Sequence, residues 1–196
     1  MLECLPPWEI LLKKMIWAQL GNIRQLRILD FGSGLGITAN HYAESNEVIA
    51  VEPSSIILRD RFVKNHYCQI CGDIDAIKKF DGNSFDVILC HNVLEYVPDR
   101  TAILREFNRL LKPGGTLSVV KLNRSDRAMQ IKVLRNEFET SIELLEASDR
   151  YAELYGTMQY YPEDDLINWC DCWRSIRIFG IHAFLSSQQM QKLSAD

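Results

Sequence analysis

The sequence predicts an α/β protein whose mostly parallel sheet is covered by helices on both faces. Strand-like and helix-like segments alternate with short loops over the first 122 residues. An apolar run at 48–51 is typical of strands that are buried on both faces. A glycine-rich loop follows the first predicted strand and leads into a helix. Because parallel neighbours are joined by right-handed crossovers through helices, we expect one sheet between two helical layers.

The individual elements follow from the spacing of apolar residues along the chain. Strands are predicted at 27–31, 47–54, 66–73, 85–92 and 116–122, with helices at 8–20, 36–44, 54–64 and 100–111. Beyond residue 122 we expect a largely helical, more polar stretch at 125–155 and a further helix at 163–173. A last strand at 175–184 and a polar tail at 186–196 should follow. No repeat or linker interrupts the pattern, so residues 1–196 are predicted to form a single domain.

The composition is that of an ordinary globular protein. The chain has 196 residues, of which 47% are hydrophobic and 24% charged, with a formal net charge of −4. That charge argues against a surface that grips nucleic acid everywhere but leaves a local basic patch open. The sequence contains no run of about eighteen apolar residues and begins with neither a basic leader nor a signal core, so we expect a cytoplasmic protein without a membrane span.

The six cysteines are too scattered for a disulfide framework. Cys68 and Cys71 have the C-x-x-C form, but they lie in an extended stretch, where residues three apart point to opposite faces. Cys170 and Cys172 are too close together for a zinc-binding pair. We therefore predict thiols in a reducing cytoplasm and no metal site.

The glycine-rich loop is the first candidate for a ligand-binding site. Glycines at 32, 34 and 36 let the backbone turn tightly and approach a nucleotide-like ligand closely. The dinucleotide fingerprint is G-x-G-x-x-G, and here Ile37 occupies the place of its third glycine. A plain tight turn remains an alternative at this point.

Acidic residues at two further strand ends favour the ligand interpretation. Glu52 ends the second predicted strand, where a carboxylate can accept hydrogen bonds from both hydroxyls of a ribose. Asp73 ends the third, and Gly72 before it permits close approach to a base. Because the ends of parallel strands meet at one edge of the sheet, we expect these groups to lie together.

Five segments in this order resemble the class I S-adenosylmethionine-dependent methyltransferases. They are LDFGSGLG (29–36), VIAVEPS (48–54), CGDID (71–75), FDVILCHNVLEYVPD (85–99) and LLKPGGTLSVV (110–120). The NAD-dependent dehydrogenases also bind a nucleotide at a glycine loop, but they lack the last two of these segments. The resemblance covers residues 24–122 as the cofactor-binding core and implies that 1–23 and 123–196 are substrate-side and C-terminal elements.

The resemblance implies S-adenosylmethionine as cofactor, with contacts from Asp30, Gly32, Ser33, Gly34, Gly36, Glu52, Asp73, Ile74 and His91. The glycine loop would pack against the methionine part, and the acid before the loop would order its amino end. The acid of the second strand would hold the ribose, and the pair at 73–74 would lie at the adenine. Asp30 could instead cap the following helix, and Glu52 could be a solvated loop acid.

The implied reaction is in-line displacement at the sulfonium methyl carbon. A nucleophile forms a bond to that carbon while the carbon–sulfur bond breaks, and S-adenosylhomocysteine leaves. His91, which backs the methionine part and borders the acceptor, is the candidate catalytic base, although it could be a packing histidine. We expect Asn92 and Glu95 to cap and solvate the next helix.

A second resemblance concerns the acceptor. The frame CHNVLEYVPD, then Leu122–Asn123, then YYPEDD (160–165) is similar to SmtA-type methyltransferases, which include enzymes acting on a tRNA carboxymethoxyuridine. The basic residues of 121–135 could contact phosphates or form a solvated helix face: Lys121, Arg124, Arg127, Lys132 and Arg135. The acceptor is thus predicted to be a small molecule or a tRNA nucleoside.

The family sheet normally has a seventh, antiparallel strand between strands five and six. This sequence ends after the predicted sixth strand, so either the last strand is missing or the sheet closes differently. A missing strand would expose backbone edges on strands five and six, from which we expect either a homodimer or poor stability. A non-catalytic S-adenosylmethionine-binding partner module is the alternative function.

Overall fold

The computed structural model describes residues 5–123, 128, 132, 136–146, 149–152, 156–169 and 176–180. The chain divides into two compact units. One comprises residues 23–121 and 161–174, and we call it the sheet unit. The other comprises residues 1–22, 122–160 and 175–196. The prediction of a single domain stays a prediction.

The helices are α1 (Pro7–Leu20), α2 (Ile37–Tyr42), α3 (Ser55–Arg59), α4 (Ile74–Ile77), α5 (Arg100–Leu110), α6 (Phe138–Glu146) and α7 (Glu163–Asn168). The strands are β1 (Arg27–Phe31), β2 (Glu47–Glu52), β3 (Cys68–Cys71), β4 (Phe85–His91), β5 (Leu111–Val120), β6 (Asp149–Ala152) and β7 (Gly156–Gln159). In the part of the chain that the structure describes, no helix is long and apolar enough to cross a bilayer.

Five parallel strands form the sheet of the sheet unit, in the order β3-β2-β1-β4-β5. This arrangement confirms the predicted parallel α/β fold. The strand order reverses between β1 and β4, where crossovers on opposite sides of β1 leave a crevice at the carboxyl ends of the strands. Ligands of open parallel sheets bind in that crevice.

Both faces of the sheet are covered. Leu29 and Ile88 are fully buried in one cluster with Leu104 and Phe107 of α5. The intervening strand residues, which point to the opposite face, are buried too, as in Ile28. The continuous apolar runs that predicted these strands therefore reflect burial on both sides.

Paired charges hold the amino-terminal edge of the sheet. Asp86 accepts hydrogen bonds from the Arg27 backbone N–H and from the Lys112 ammonium, both at 2.8 Å. These two donors hold the pKa of the Asp86 carboxyl below its ordinary value. A lowered native pKa adds stability above the ordinary pKa of an aspartate, and this stability is lost as pH falls through the native pKa.

We therefore expect Asp86→Asn to make unfolding less sensitive to acid, because the carboxylate whose native pKa is lowered is no longer present. Urea denaturation at pH 7 and at pH 3, below the ordinary pKa of an aspartate, measures this. The wild type should lose more of its free energy of unfolding between the two values than the variant does. Equal losses would show that the Asp86 pair does not contribute to acid sensitivity.

Several elements of the sheet unit differ from prediction in their bounds. α3 ends at Arg59, five residues before its predicted end, because the backbone N–H groups of Phe62, Lys64 and Asn65 donate to other segments instead of continuing the helix. β5 begins at Leu111, which pairs with Phe85 before an irregularity in the register. The four-residue helix α4 was not predicted, because it is too short for a periodic signal.

In the other unit, two predicted helices are confirmed and two predictions for the second half of the chain are wrong. α1 confirms the predicted N-terminal helix, and α6 confirms helix within 125–155. The end of that stretch is instead an antiparallel hairpin of β6 and β7. Residues 176–180 are exposed and in no strand, so the predicted strand 175–184 is wrong there, since an alternating run needs a partner ladder. The remainder of that strand, residues 170–173 of the predicted helix and the tail lie outside the described residues.

Candidate cofactor and acceptor site

The glycine loop lies at the carboxyl end of β1, as predicted. Gly32, Gly34 and Gly36 have φ angles of +75°, +54° and +74°, in the left-handed region that favours glycine. The backbone N–H groups of Gly32 and Ser33 donate to the Val51 carbonyl at 2.8 and 3.0 Å. The first half of the loop is therefore fixed to the end of β2.

The three glycines face different surroundings. A Cβ at Gly32 would overlap the Val93 side chain, and one at Gly36 would overlap the Tyr67 hydroxyl. A Cβ at Gly34 would meet no atom within 4 Å. Gly34 thus marks the open side of the loop, where a ligand can approach the backbone.

Glu52 joins the end of β2 to this loop. One carboxylate oxygen accepts the Gly34 N–H at 2.9 Å and the other accepts the Ser54 N–H at 3.0 Å. The residue is 6% exposed, so it is not a solvated loop acid. A carboxylate has about four acceptor positions, and two remain for ligand hydroxyls.

Asp30 is buried within β1, between Ala50 and Leu89 of the neighbouring strands. It lies six residues before Gly36, the N-cap residue of α2. Burial, reinforced by the negative charge of Asp30, raises the pKa of the Tyr42 hydroxyl well above its ordinary value. The carboxylate thus creates a negative potential beneath the loop, which suits a ligand cation.

A second buried carboxylate, that of Glu95, follows β4. Glu95 is 1% exposed, so the prediction that it solvates the next helix is wrong. Asp99 caps that helix instead, by accepting the Ala102 N–H at 2.9 Å. Burial raises the pKa of the Cys90 thiol, and Glu95 and Asp30 raise it further. Both carboxylates therefore act electrostatically on the same buried region.

The predicted adenine-side pair follows β3. β3 ends at Cys71, two residues earlier than predicted. Asp73 is exposed, and its carboxylate caps α4 by accepting the Asp75 N–H at 3.0 Å. Ile74 is half-buried in the first turn of α4. Gly72 donates its N–H to the Glu52 carbonyl at 3.1 Å, which brings this segment beside the end of β2.

His91 ends β4 and is half-buried. Its Nε2 lies 3.0 Å from the Ser118 hydroxyl of β5. Ser118 was not among the predicted site residues. Pairing β4 with β5 in register would have suggested this contact. Ser118 lies opposite Leu89, which is two residues before His91 and on the same face of the sheet. The imidazole is therefore held from one side at the carboxyl edge.

Two cations hold Tyr161 at this half of the edge. The Lys121 ammonium donates to the Tyr161 carbonyl at 2.6 Å and lies 4.9 Å from its ring centroid. The Arg100 guanidinium lies 4.9 Å from the same ring and 5.3 Å from that of Trp169. Neither aromatic residue was predicted to take part in the site.

Of the predicted basic patch, the structure describes two side chains, and both have aromatic partners. Lys121 is engaged with Tyr161, and the Lys132 ammonium lies 5.3 Å from the Phe138 ring centroid. The other basic residues, Arg124, Arg127 and Arg135, lie outside the described residues. Contact of this patch with RNA stays a prediction.

The described residues contain no group of three or more candidate metal ligands. Cys68, Cys71 and Cys90 are free thiols, the first two exposed and the third buried. Cys170 and Cys172 lie outside the described residues.

The model of a known protein family, described as a methyltransferase domain, matches residues 29–119. This range contains the glycine loop, Glu52, Asp73 and His91. Residues 29–119 are therefore a methyltransferase domain, as the resemblance to the class I S-adenosylmethionine-dependent methyltransferases implied. The match begins in β1 and ends in β5, so it coincides with the parallel sheet.

Two curated relatives of this chain are ubiquinone biosynthesis O-methyltransferases. That of Coxiella burnetii is 29% identical over 164 residues, which cover 79% of this chain and 66% of the relative. That of Xanthomonas oryzae pv. oryzae is 33% identical over 122 residues, which cover 57% of this chain and 49% of the relative. The chain therefore spans less than two thirds of the length of either relative.

A solved S-adenosylmethionine-dependent methyltransferase from Mesorhizobium loti is similar in fold, with a TM-score of 0.59 and 17% sequence identity. The match covers 86% of this chain and 80% of that one. At this identity the likeness concerns the fold alone.

Proposed function

We propose that this methyltransferase transfers a methyl group from S-adenosylmethionine to an acceptor that is a small molecule or a tRNA nucleoside. The observation that carries the proposal is the position of Glu52. Its carboxylate is buried at the carboxyl edge of the sheet and accepts the Gly34 N–H. A Cβ built at Gly34 would meet no protein atom within 4 Å, so a ligand can approach the loop there. A ribose-binding acid and an approachable backbone therefore occur together.

The residues present fit S-adenosylmethionine. Glu52 has acceptor positions left for the ribose hydroxyls, and Gly34 leaves room for close approach. The buried carboxylate of Asp30 favours a cationic amino end. Ser33, Gly32 and Gly36 would border the methionine part, Asp73 and Ile74 the adenine, and His91 the transferred group.

When bound, S-adenosylmethionine supplies an electrophilic methyl group on a positively charged sulfur. The main contribution of the chain would be positioning. Holding two reactants in line can lower a barrier by about 7–11 kcal/mol. Gly34 and Glu52 would fix the cofactor side, while His91 and the Tyr161 segment lie along the β4–β5 half of the edge.

His91 is proposed as the group that takes the acceptor's proton. The contact with Ser118 holds the imidazole in one orientation, which a base requires. An acceptor whose nucleophile is a carboxylate would need no base, because that group is already ionised at neutral pH.

For an acceptor that must lose a proton, we expect His91→Ala to lower kcat by about 10²–10⁴-fold. The affinity for S-adenosylhomocysteine should change much less than kcat, because His91 would be only one of several residues in contact with the cofactor. Ser118→Ala is the matched variant, since it keeps the imidazole but removes its hydroxyl contact, and it should lower kcat by a smaller factor. Unchanged kcat in His91→Ala would show that this residue only packs.

The acceptor class is tested with methyl-labelled S-adenosylmethionine. The purified protein is incubated with an extract of cells that lack it, and the extract is separated into tRNA, protein and small molecules. Label in tRNA or in small molecules would support methyl transfer and choose between the two proposed acceptors. No label from a protein that binds S-adenosylhomocysteine would instead favour the non-catalytic binding module.

The proposal also includes the cytoplasm as the setting and a homodimer as the assembly. β5 is an edge of the sheet formed by the described strands. An uncovered edge strand is a template for pairing with a second chain. Both parts stay predictions.

A further inference from the structure

Residues 60–65, which we call the strap, cross from α3 towards β3 without forming a helix. The strap meets the second half of the glycine loop, where the Phe62 N–H donates to the Leu35 carbonyl at 2.7 Å. The first half of that loop is fixed to β2 through Gly32 and Ser33. Contact with the strap thus fixes the half of the loop that β2 does not hold.

Asn40 binds the other end of the strap. Its side-chain oxygen accepts the N–H groups of Lys64 and Asn65, both at 2.7 Å. Its backbone carbonyl accepts the Asn65 amide group at 2.9 Å. Asn40 lies in α2 and is fully buried. The helix that follows the glycine loop is therefore hydrogen-bonded to the strap by three bonds at one residue.

Tyr67 binds the middle of the strap and lies against the loop. Its hydroxyl donates to the Phe62 carbonyl at 2.8 Å, and it is the atom that a Cβ at Gly36 would overlap. The side chain is buried. Phe62 is thus held on both sides, by the Leu35 carbonyl through its N–H and by Tyr67 through its carbonyl.

These contacts matter because glycines with positive φ are intrinsically permissive. A loop with three of them keeps a single shape only when neighbouring groups fix it. Leu35 lies between Gly34, which donates to Glu52, and Gly36, which Tyr67 covers. A displaced strap would release Leu35 and let the Gly34 N–H leave its position.

We propose that Asn40 and Tyr67 are positioning residues for the cofactor, which hold the strap on the glycine loop and so keep the loop in its ligand-binding shape. This inference rests on the proposed function, because it assumes that the loop binds S-adenosylmethionine. It adds two residues that do not belong to the predicted site.

The test is the affinity for S-adenosylhomocysteine, measured by calorimetry well below each variant's unfolding temperature. If loss of the Asn40 side chain leaves the strap closed in about a tenth of the molecules, the apparent Kd rises about tenfold. We expect that result for Asn40→Ala. Tyr67→Phe, which keeps the ring and removes one hydrogen bond, is the milder second variant and should raise Kd about threefold.

Asn46→Ala is the matched control. Asn46 accepts the Leu26 N–H at 3.1 Å and donates to the carbonyls of Ile23 and Tyr42 at 3.1 and 2.8 Å. It therefore joins segments as Asn40 does, but at the opposite edge of the sheet. Its loss should lower thermal stability and leave Kd within about twofold of the wild type.

The outcomes separate the inference from the function on which it rests. Weaker binding in Asn40→Ala and Tyr67→Phe, but not in Asn46→Ala, would support it. If all three variants lose stability and bind as the wild type does, Asn40 and Tyr67 are merely structural and the inference is overturned. No binding by the wild type would overturn the proposed function and this inference with it.

Discussion

Glu52→Ala is expected to raise the Kd for S-adenosylhomocysteine by more than about tenfold. A hydrogen bond to a charged group contributes about 1.5–3 kcal/mol, and about 1.4 kcal/mol corresponds to a factor of ten. The proposed ribose contact uses two such bonds. The substitution also removes the acceptor that holds the Gly34 N–H at 2.9 Å, so the loop loses a constraint.

Calorimetric titration of the purified variant measures this effect. Asp86→Ala is the matched control, because Asp86 also accepts two hydrogen bonds but lies at the amino-terminal edge of the sheet. That variant should lose stability and keep its affinity. If Glu52→Ala binds S-adenosylhomocysteine as tightly as the wild type, the ribose assignment is wrong.

The fold of the sheet unit was predictable because its signals are local. The run Val48–Val51 shows burial on both faces, and β1 and β2 lie where such apolar runs occur. The hairpin of β6 and β7 was missed because its strands have four residues each, too few for a clear alternation. Residues 176–180 show the opposite error, since their alternating pattern has no partner strand in the described sheet.

The residues of the candidate site likewise fall into those that a local signal predicts and those that it does not. Glu52 and the glycine loop could be predicted because each lies at a strand end within one short motif. Tyr161 could not, because its contact with Lys121 joins residues 40 positions apart in the chain. Ser118 could be found only by pairing β4 with β5 in register, because it lies 27 positions from His91. Glu95 was misread because a charged residue in a polar stretch suggests solvent exposure, whereas the fold buries it.

Gly32→Ala is expected to destabilise the fold strongly, by about 2–5 kcal/mol. Gly32 has a φ angle of +75°, and left-handed backbone costs a residue with a Cβ about 1–2 kcal/mol. The new methyl group would also overlap Val93, and overpacking typically costs about 1–3 kcal/mol. Urea denaturation of the variant and the wild type measures the difference in free energy of unfolding.

Gly34→Ala separates the two causes. Its φ angle of +54° imposes similar strain, but its methyl group would meet no protein atom within 4 Å. The loss of stability should therefore stay near about 1–2 kcal/mol. The methyl group would occupy the open side of the loop, so this variant should bind S-adenosylhomocysteine more weakly than the wild type.

The Val93 contribution is isolated by a double-mutant cycle. In a Val93→Ala background, Gly32→Ala should cost about 1–3 kcal/mol less than in the wild type, because the overlapping methyl groups are gone. Equal costs in both backgrounds would mean that backbone strain alone accounts for the need for glycine at position 32. A reduced cost would show that Val93, which follows β4, requires glycine in the loop after β1. The two segments would then constrain each other at the crevice where the cofactor is proposed to bind.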